Sequence, residues 1–395
     1  MTAALEGIKV VDLCSVVSGP VAMATLADQG ADVIKVEGLT GDVTRGARPE
    51  SPEFAPGFVA CNRGKRSIAL DLKNADGQAI LWRLLERADV VAQNYRPGVM
   101  DRLGFGYETV AARNPGIVFL SISGVGPVGP YAKKRVYDPT IQSLTGFTDI
   151  QADPITRRPK MVRTLVADKT TAIYAAQAVT AALFARTRTG RGQHLQVSML
   201  DVMMSFLWPE GMAPFAVVAE DRRDAPNTPH DMIFETSDGY VTFGTVSDKE
   251  WAGLCKALKR PELIADERFA TGAQRSANRQ VRMETVEAAI AGFSSDEIIA
   301  RLEANDVPCM KVKTRREALD DPQVIANEIV VEMDQPGVGR MRQARPAALF
   351  GDTPSRRPRP APGLGQHSRE ILTELGFENT EVAAFIDRGV VGAAS

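Results

Sequence analysis

The chain has 395 residues, of which 44% are apolar and 24% charged, with a formal net charge of −2 at pH 7. That length exceeds one simple core and argues for two domains, while the near-neutral balance gives no global pull towards nucleic acid or an anionic membrane. Cys14, Cys61, Cys255 and Cys309 are widely spaced without CxxC, which excludes a disulfide framework or a zinc site and suits reduced thiols in the cytoplasm. The opening "MTAALEGIKVVDL" lacks the basic and apolar regions of a signal peptide. No apolar run reaches the roughly 18 residues of a membrane span.

In chain order, "IKVVDL" (8–13) is an apolar, β-branched run of the kind found in buried parallel strands. "SGP" and the helical pattern "VAMATLADQG" follow, closed by Gly30, and "DVIKVE" (32–37) is the next strand, completing a βαβ unit. The alternation continues through a helix at 76–88, strands "DVVAQN", "GIVFLSIS" and "MVRTLVA", a helix at 169–186, and a strand "HLQVSML". This predicts an α/β fold: a large, doubly wound, Rossmann-like domain with a parallel sheet over residues 1–200. Residues 201–229, with the polar, Pro-containing "AEDRRDAPNTPHDM" (219–232) at their end, read as a linker. A smaller α+β domain is expected over 230–325, with strands "GYVTFGT" and "PCMKV" and helices near 248–259, 280–291 and 295–304. Residues 326–395 read as a second linker and a C-terminal segment returning to the large domain, with strands "EIVVEMD" and "GRMRQAR" and a final helix "SREILTELGF".

Several motifs point nowhere. "GVGPVG" (124–129) matches GxGxxG, but Pro127 and Pro130 interrupt it and "YAKKR" follows where a phosphate-binding helix should start. Glu37 ends the second strand, where an acid would meet an NAD ribose, yet the preceding loop "CSVVSGP" has a single glycine. His194, His230 and His367 are isolated and fit no metal spacing, and no GxSxG elbow exists. Chemistry must rest on carboxylates, lysines or arginines. Asp168, in "VRTLVADKTTAIYAAQ", stands where an apparent strand meets a long helix of small residues. An N-cap is the simplest role for it. The helix N-terminus would also keep the acid ionised, and Thr170, Thr171 and Ala172 would leave room for a substrate beside a nucleophilic carboxylate.

"VADKTTAIYAAQAVTAALFARTRTGRGQHLQVSMLD" (166–201) resembles the signature of class III CoA-transferases. The opening "GIKVVDLCSVVSGPVAMATLADQGADVIKVE" and the blocks "NRGKRSIALDLK", "NYRPGVMDRLGF", "DERFATGAQRSANR", "DVPCMKVKTRREALDDPQV" and "PAPGLGQHSREILTELG" resemble that family in the same order. The resemblance implies an enzyme that moves CoA from an acyl-CoA to a free carboxylic acid, with Asp168 as nucleophile and aspartyl anhydride and aspartyl-CoA thioester intermediates. It places Tyr137 beside the reacting acyl group. It assigns Leu70, Leu72, Lys73, Asn94, Tyr95, Arg96, Arg102 and Arg135 to CoA. It implies CoA or acyl-CoA as substrate with no tightly bound cofactor, and the histidine spacing and charge balance above give no metal and no nucleic-acid or membrane partner. It also implies a homodimer of interlocked, ring-shaped subunits. Val17 stands where formyl-CoA transferase has Gln, and residues 219–239 carry no glycine-rich run, which counts against formate and oxalate as substrates. The alternatives are α-methylacyl-CoA racemase, which shares the fold, and a non-catalytic CoA-binding protein. The racemase uses a His–Asp pair where this chain has Tyr137–Asp138, and a tyrosine with a pKa near 10 is a poor base at neutral pH.

Overall fold

The computed structural model describes residues 2–46, 54–153, 155–218 and 231–394. The chain forms two compact units: residues 1–149, 161–217 and 326–395 make the first, and 150–160 with 218–325 the second. The first unit begins with β1 (Lys9–Asp12), β2 (Asp32–Glu37), β3 (Arg66–Leu70), β4 (Val90–Gln93), β5 (Val118–Ser123) and β6 (Gln193–Ser198). β7 (Ile233–Glu235), β8 (Tyr240–Phe243) and β9 (Cys309–Lys311) belong to the second unit. β10 (Val330–Gln335), β11 (Gly339–Ala344) and β12 (Val391–Gly392) return to the first.

The main sheet has the order β12-β3-β2-β1-β4-β5-β6. All its pairings are parallel except that of β12 with β3. Its central strands carry apolar side chains on both faces, as a sheet covered on both sides requires. On one face, helices Ala75–Glu86, Ser368–Glu374 and Asn379–Asp387 pack over Ile68, Leu70, Val91 and Phe119. On the other, helices Ser18–Asp28 and Val166–Thr189 pack over Val10, Val33, Val90 and Leu120. The doubly wound expectation is met. Strand order reverses at β1, so the loops leaving β1 and β4 diverge and open a crevice at the carboxyl ends of the strands. Gly30 closes the first helix at φ +108°, and a Cβ there would lie 2.5 Å from that of Ala3.

Three local expectations are corrected. "MVRTLVA" is not a strand: helix Val166–Thr189 starts within it, and residues 161–165 are irregular. Their backbone groups are met by one side chain instead. Gln142 Oε1 accepts Val162 N–H at 3.1 Å, and its Nε2 donates to Val162 O and Thr164 O at 3.3 Å each. The expected linker from 201 begins as helix Met199–Leu207, which contributes Met203 to a buried cluster with Ile141 and Ala167. Residues 219–230 of that linker, with His230, lie outside the described residues. The C-terminal segment forms a second helix, Asn379–Asp387, and β12, neither expected.

The second unit is a three-stranded antiparallel sheet, β7-β8-β9, under helices Asp248–Ala257, Arg279–Ile290 and Ser295–Glu303. It has its own core, in which Phe234 stacks on Phe243 and the Trp251 ring meets Phe269 edge-on.

Candidate active site

A cavity of about 340 Å³ opens at the crevice of the first unit. Its walls are the β1 loop (Ser15, Val16, Ser18), the β4 loop (Asn94 to Pro97), the segment after β5 (Ser123 to Tyr137) and Asp168. The structure therefore brings Asp168, Tyr137, Asn94, Tyr95, Arg96 and Arg135 around one space, joined by Lys134. "GVGPVG" supplies part of this rim through Gly124, Val125 and Gly126 and starts no helix.

Asp168 is not the N-cap. Leu165 holds that position, and Asp168 lies in the first turn with its N–H donating to Asp138 Oδ2 at 3.1 Å. Burial, and next the Asp138 carboxylate, push Asp168 up to about 6, against hydrogen bonds from the Ser18 hydroxyl and backbone N–H. Desolvation and a like charge outweigh the two Ser18 groups. At neutral pH the group is still about 90% ionised, but weakly solvated, as suits a nucleophile. Thr171 and Ala172 leave room for the neighbouring helix instead of a substrate, since both are fully buried, Ala172 in the cluster with Ala22 and Met23.

Asp138 is itself 1% exposed and accepts from Gln142 Nε2 at 2.6 Å. One of its oxygens is therefore committed to the start of the Asp168 helix and the other to Gln142 on its own helix. Tyr137, at the N-cap of helix Asp138–Leu144, stays 62% exposed and faces the cavity. Asn94 spends its amide on the β1 loop: Oδ1 accepts from Ser15 N–H at 2.9 Å and Nδ2 donates to Ser15 O at 2.8 Å.

The other expected CoA residues lie outside this cavity. Leu70 is wholly buried on β3 in the main core, so it packs the sheet and offers no surface to an adenine. Leu72 is partly buried against the same core. Lys73 and Arg102 are exposed, Arg102 on the short helix Val99–Arg102 directly after the β4 loop. Glu37 is no ribose ligand, because its carboxylate is taken by Arg45 at 2.6 and 2.8 Å and by Ser67 at 3.0 Å. His194 bonds Ser121 Oγ and stacks on Tyr107, while His367 Nδ1 accepts from Ser67 N–H. Among the described residues no cluster fits a metal ion, and no helix is long and apolar enough to cross a membrane.

Ser18 and Asp138 are neighbours of Asp168 that the sequence did not disclose as such. Ser18 comes from an element 150 residues away, and only the fold joins it to Asp168. Asp138 stood out only as the partner of Tyr137.

The sequence model of CoA-transferase family III matches residues 5–368. A succinate–glutarate CoA-transferase from Agrobacterium fabrum is 34% identical, over 94% of this chain and 95% of its own. A formyl-CoA:oxalate CoA-transferase from Streptomyces avermitilis is 31% identical, over 99% and 100%. A crystal structure of a CAIB/BAIF family protein from Brucella suis superposes with a TM-score of 0.81 at 35% identity, covering 95% of this chain and all of that one. The chain belongs to CoA-transferase family III and is an enzyme of that class.

Proposed function

We propose that the protein moves CoA from an acyl-CoA to a free carboxylic acid by covalent catalysis at Asp168. The carrying observation is the Asp168 carboxylate on the wall of a cavity rich in cations, part-desolvated and sharing that wall with Ser18. Asp168 attacks the thioester carbonyl, the C–S bond breaks, and an aspartyl-acyl anhydride and CoA thiolate form. The thiolate attacks the Asp168 carbonyl, giving an aspartyl-CoA thioester and releasing the first acid. The incoming carboxylate attacks that thioester and re-forms an anhydride. The thiolate then takes the new acyl group and frees Asp168. No water enters the balance, and the thioester's activation is retained throughout. Ser18 is suited to hold the oxyanion formed at Asp168. Arg96, Lys134 and Arg135 suit the phosphates of CoA or a second carboxylate. The acceptor class we propose is a dicarboxylic acid, the class named for the succinate–glutarate relative.

The test is incubation with acyl-CoA followed by mass spectrometry. A hydroxylamine-sensitive adduct should appear on Asp168, and Asp168→Ala and Asp168→Asn should each lose CoA exchange while still binding CoA. More than a few per cent of residual turnover in either variant would sink the reading. No adduct, with CoA still bound, would favour a binding protein. Exchange of solvent deuterium at the α-carbon would favour a racemase.

We also propose a homodimer, the arrangement implied by the family resemblance. Helix Val166–Thr189 supports this reading: beyond its buried face it leaves Ile173 69% and Phe184 63% exposed. An apolar cavity of about 830 Å³, bounded by that helix, helix Ser18–Asp28 and residues 343–348, adjoins it.

A further inference from the structure

The loop between β1 and helix Ser18–Asp28 is held by side chains from four other places. Cys14 N–H donates to Asp12 Oδ1 at 2.9 Å, and Cys14 O accepts from Lys35 Nζ at 2.8 Å. Ser15 is clamped through both backbone groups by Asn94. Val16 N–H donates to Asp42 Oδ2 at 3.2 Å. Behind them, Lys35–Asp42 and Lys65–Asp12 are ion pairs with side chains at most 1% exposed. Burial pushes Asp12 up, yet Lys65 and Lys35 outweigh it and hold it below the usual carboxylate range.

Two facts need a reason. Val16 sits at φ +71°, in the left-handed region, which a β-branched side chain adopts only under strain. Buried ion pairs are poor stabilisers, since well-packed apolar residues commonly do as well. A strained residue held by an expensive buried network is explained if the conformation itself is the product. The turn at Val16 leads the chain into its helix, whose first residue, Ser18, lines the same cavity as Asp168.

We propose that Asp42 and Lys35 are positioning residues for the transfer reaction: they lock Val16 in its left-handed turn and thereby aim the Ser18 donors at Asp168. They touch no substrate themselves. Asp42 is the critical member, because it joins the ion pair to the Val16 N–H while Thr44 N–H and Oγ1 hold its other oxygen at 2.9 and 2.8 Å. The inference rests on Asp168 being the nucleophile.

The test is the pH profile of kcat/KM in Asp42→Asn, in Asn94→Ala, which frees Ser15 near the surface, and in Asp42→Asn combined with Val16→Gly. Ser18 holds the Asp168 carboxyl down, so a misaimed Ser18 moves the acid limb to higher pH. Asp138 beside Asp168, and Tyr95, Arg96, Lys134, Arg135 and Tyr137, the other charged or titratable groups that line the cavity with it, are unaltered. We expect the limb to rise by about half a pH unit or more, with kcat down about tenfold. Glycine adopts the turn without strain, so Val16→Gly should recover part of both losses in the Asp42→Asn background. Asn94→Ala keeps the test open should Asp42→Asn not fold. An unmoved limb, or a loss of activity that Val16→Gly does not relieve, overturns the proposal. Turnover surviving in Asp168→Ala removes the nucleophile reading instead, which these profiles would not show.

Discussion

Asp168 holds its proton to about pH 6 because burial and Asp138 outweigh Ser18, and this makes two predictions at the scale of single residues. The acid limb of kcat/KM should lie near pH 6, below which Asp168, the nucleophile we propose, is protonated. Asp138→Asn removes the like charge but keeps one acceptor for the Asp168 N–H, so the limb should shift to lower pH; a limb that stays or rises contradicts the coupling. The second prediction concerns stability. A folded-state carboxyl raised above its unfolded value binds its proton better in the native state, so stability falls as pH climbs from about 4 to about 6 and stays lower above that. Asp168→Asn removes the penalty, worth on the order of 1–3 kcal/mol. Thermal melts should show the variant more stable than the parent at pH 8 and the two alike near pH 3.5. An equal difference at both pH values would mean that the gain does not come from titration. The acid itself was legible in the sequence, from its junction and its resemblance. Its environment was not, because burial and the Asp138 contact arise from segments that only the fold joins.

Elements were legible where their hydrophobic period repeats. The βαβ units read correctly because buried parallel strands are short β-branched runs, and helix Ala75–Glu86 between two of them carries a clear stripe of Ile80, Leu81, Leu84 and Leu85. Residues 161–165 misled because "MVRTLV" has strand composition; Gln142 supplies the hydrogen bonds that a neighbouring strand would have made. β12 was missed because two residues carry no period. "GVGPVG" had the wrong motif meaning but a real structural demand. A Cβ on Gly124 would lie 1.9 Å from Val136 Cγ2, so the end of β5 and the rim segment before Tyr137 are in close contact. Gly124→Ala must push that segment aside. The displaced part is rim, with Val136 only partly buried, so stability should fall by only about 1–2 kcal/mol, while kcat/KM for the acyl-CoA drops at least about tenfold. Denaturation curves and steady-state kinetics on the same preparation check this, and unchanged kinetics would mean that the rim yields freely.

At the scale of the whole molecule, each unit closes its own core, yet the first leaves apolar surface in the open. A helix that is apolar on more than its packed face is normally buried on both. Ile173, Tyr174 and Phe184 are exposed along helix Val166–Thr189, and Leu165 stands exposed just before it. Asp168 lies in the first turn of the same helix, so whatever covers this surface also steadies the segment that carries it. A second copy of the chain is the occupant we propose, and an interlocked pair is the form the resemblance implies. Such a pair cannot part by simple diffusion, because one chain must open before the other leaves. Dissociation would then be as slow as unfolding, and the assembly indifferent to dilution over hours. A simple face-to-face dimer obeys mass action and falls apart below its dissociation constant. Mass photometry at nanomolar concentration should therefore show one species at about twice 42.7 kDa, stable for hours. Phe184→Glu, which places a charge on the exposed face, distinguishes the forms further. It should lower the yield of assembled protein without producing a folded monomer in equilibrium with dimer. A reversible, folded monomer on dilution of either protein would rule out interlocking, and a folded monomer at every concentration would rule out the dimer itself.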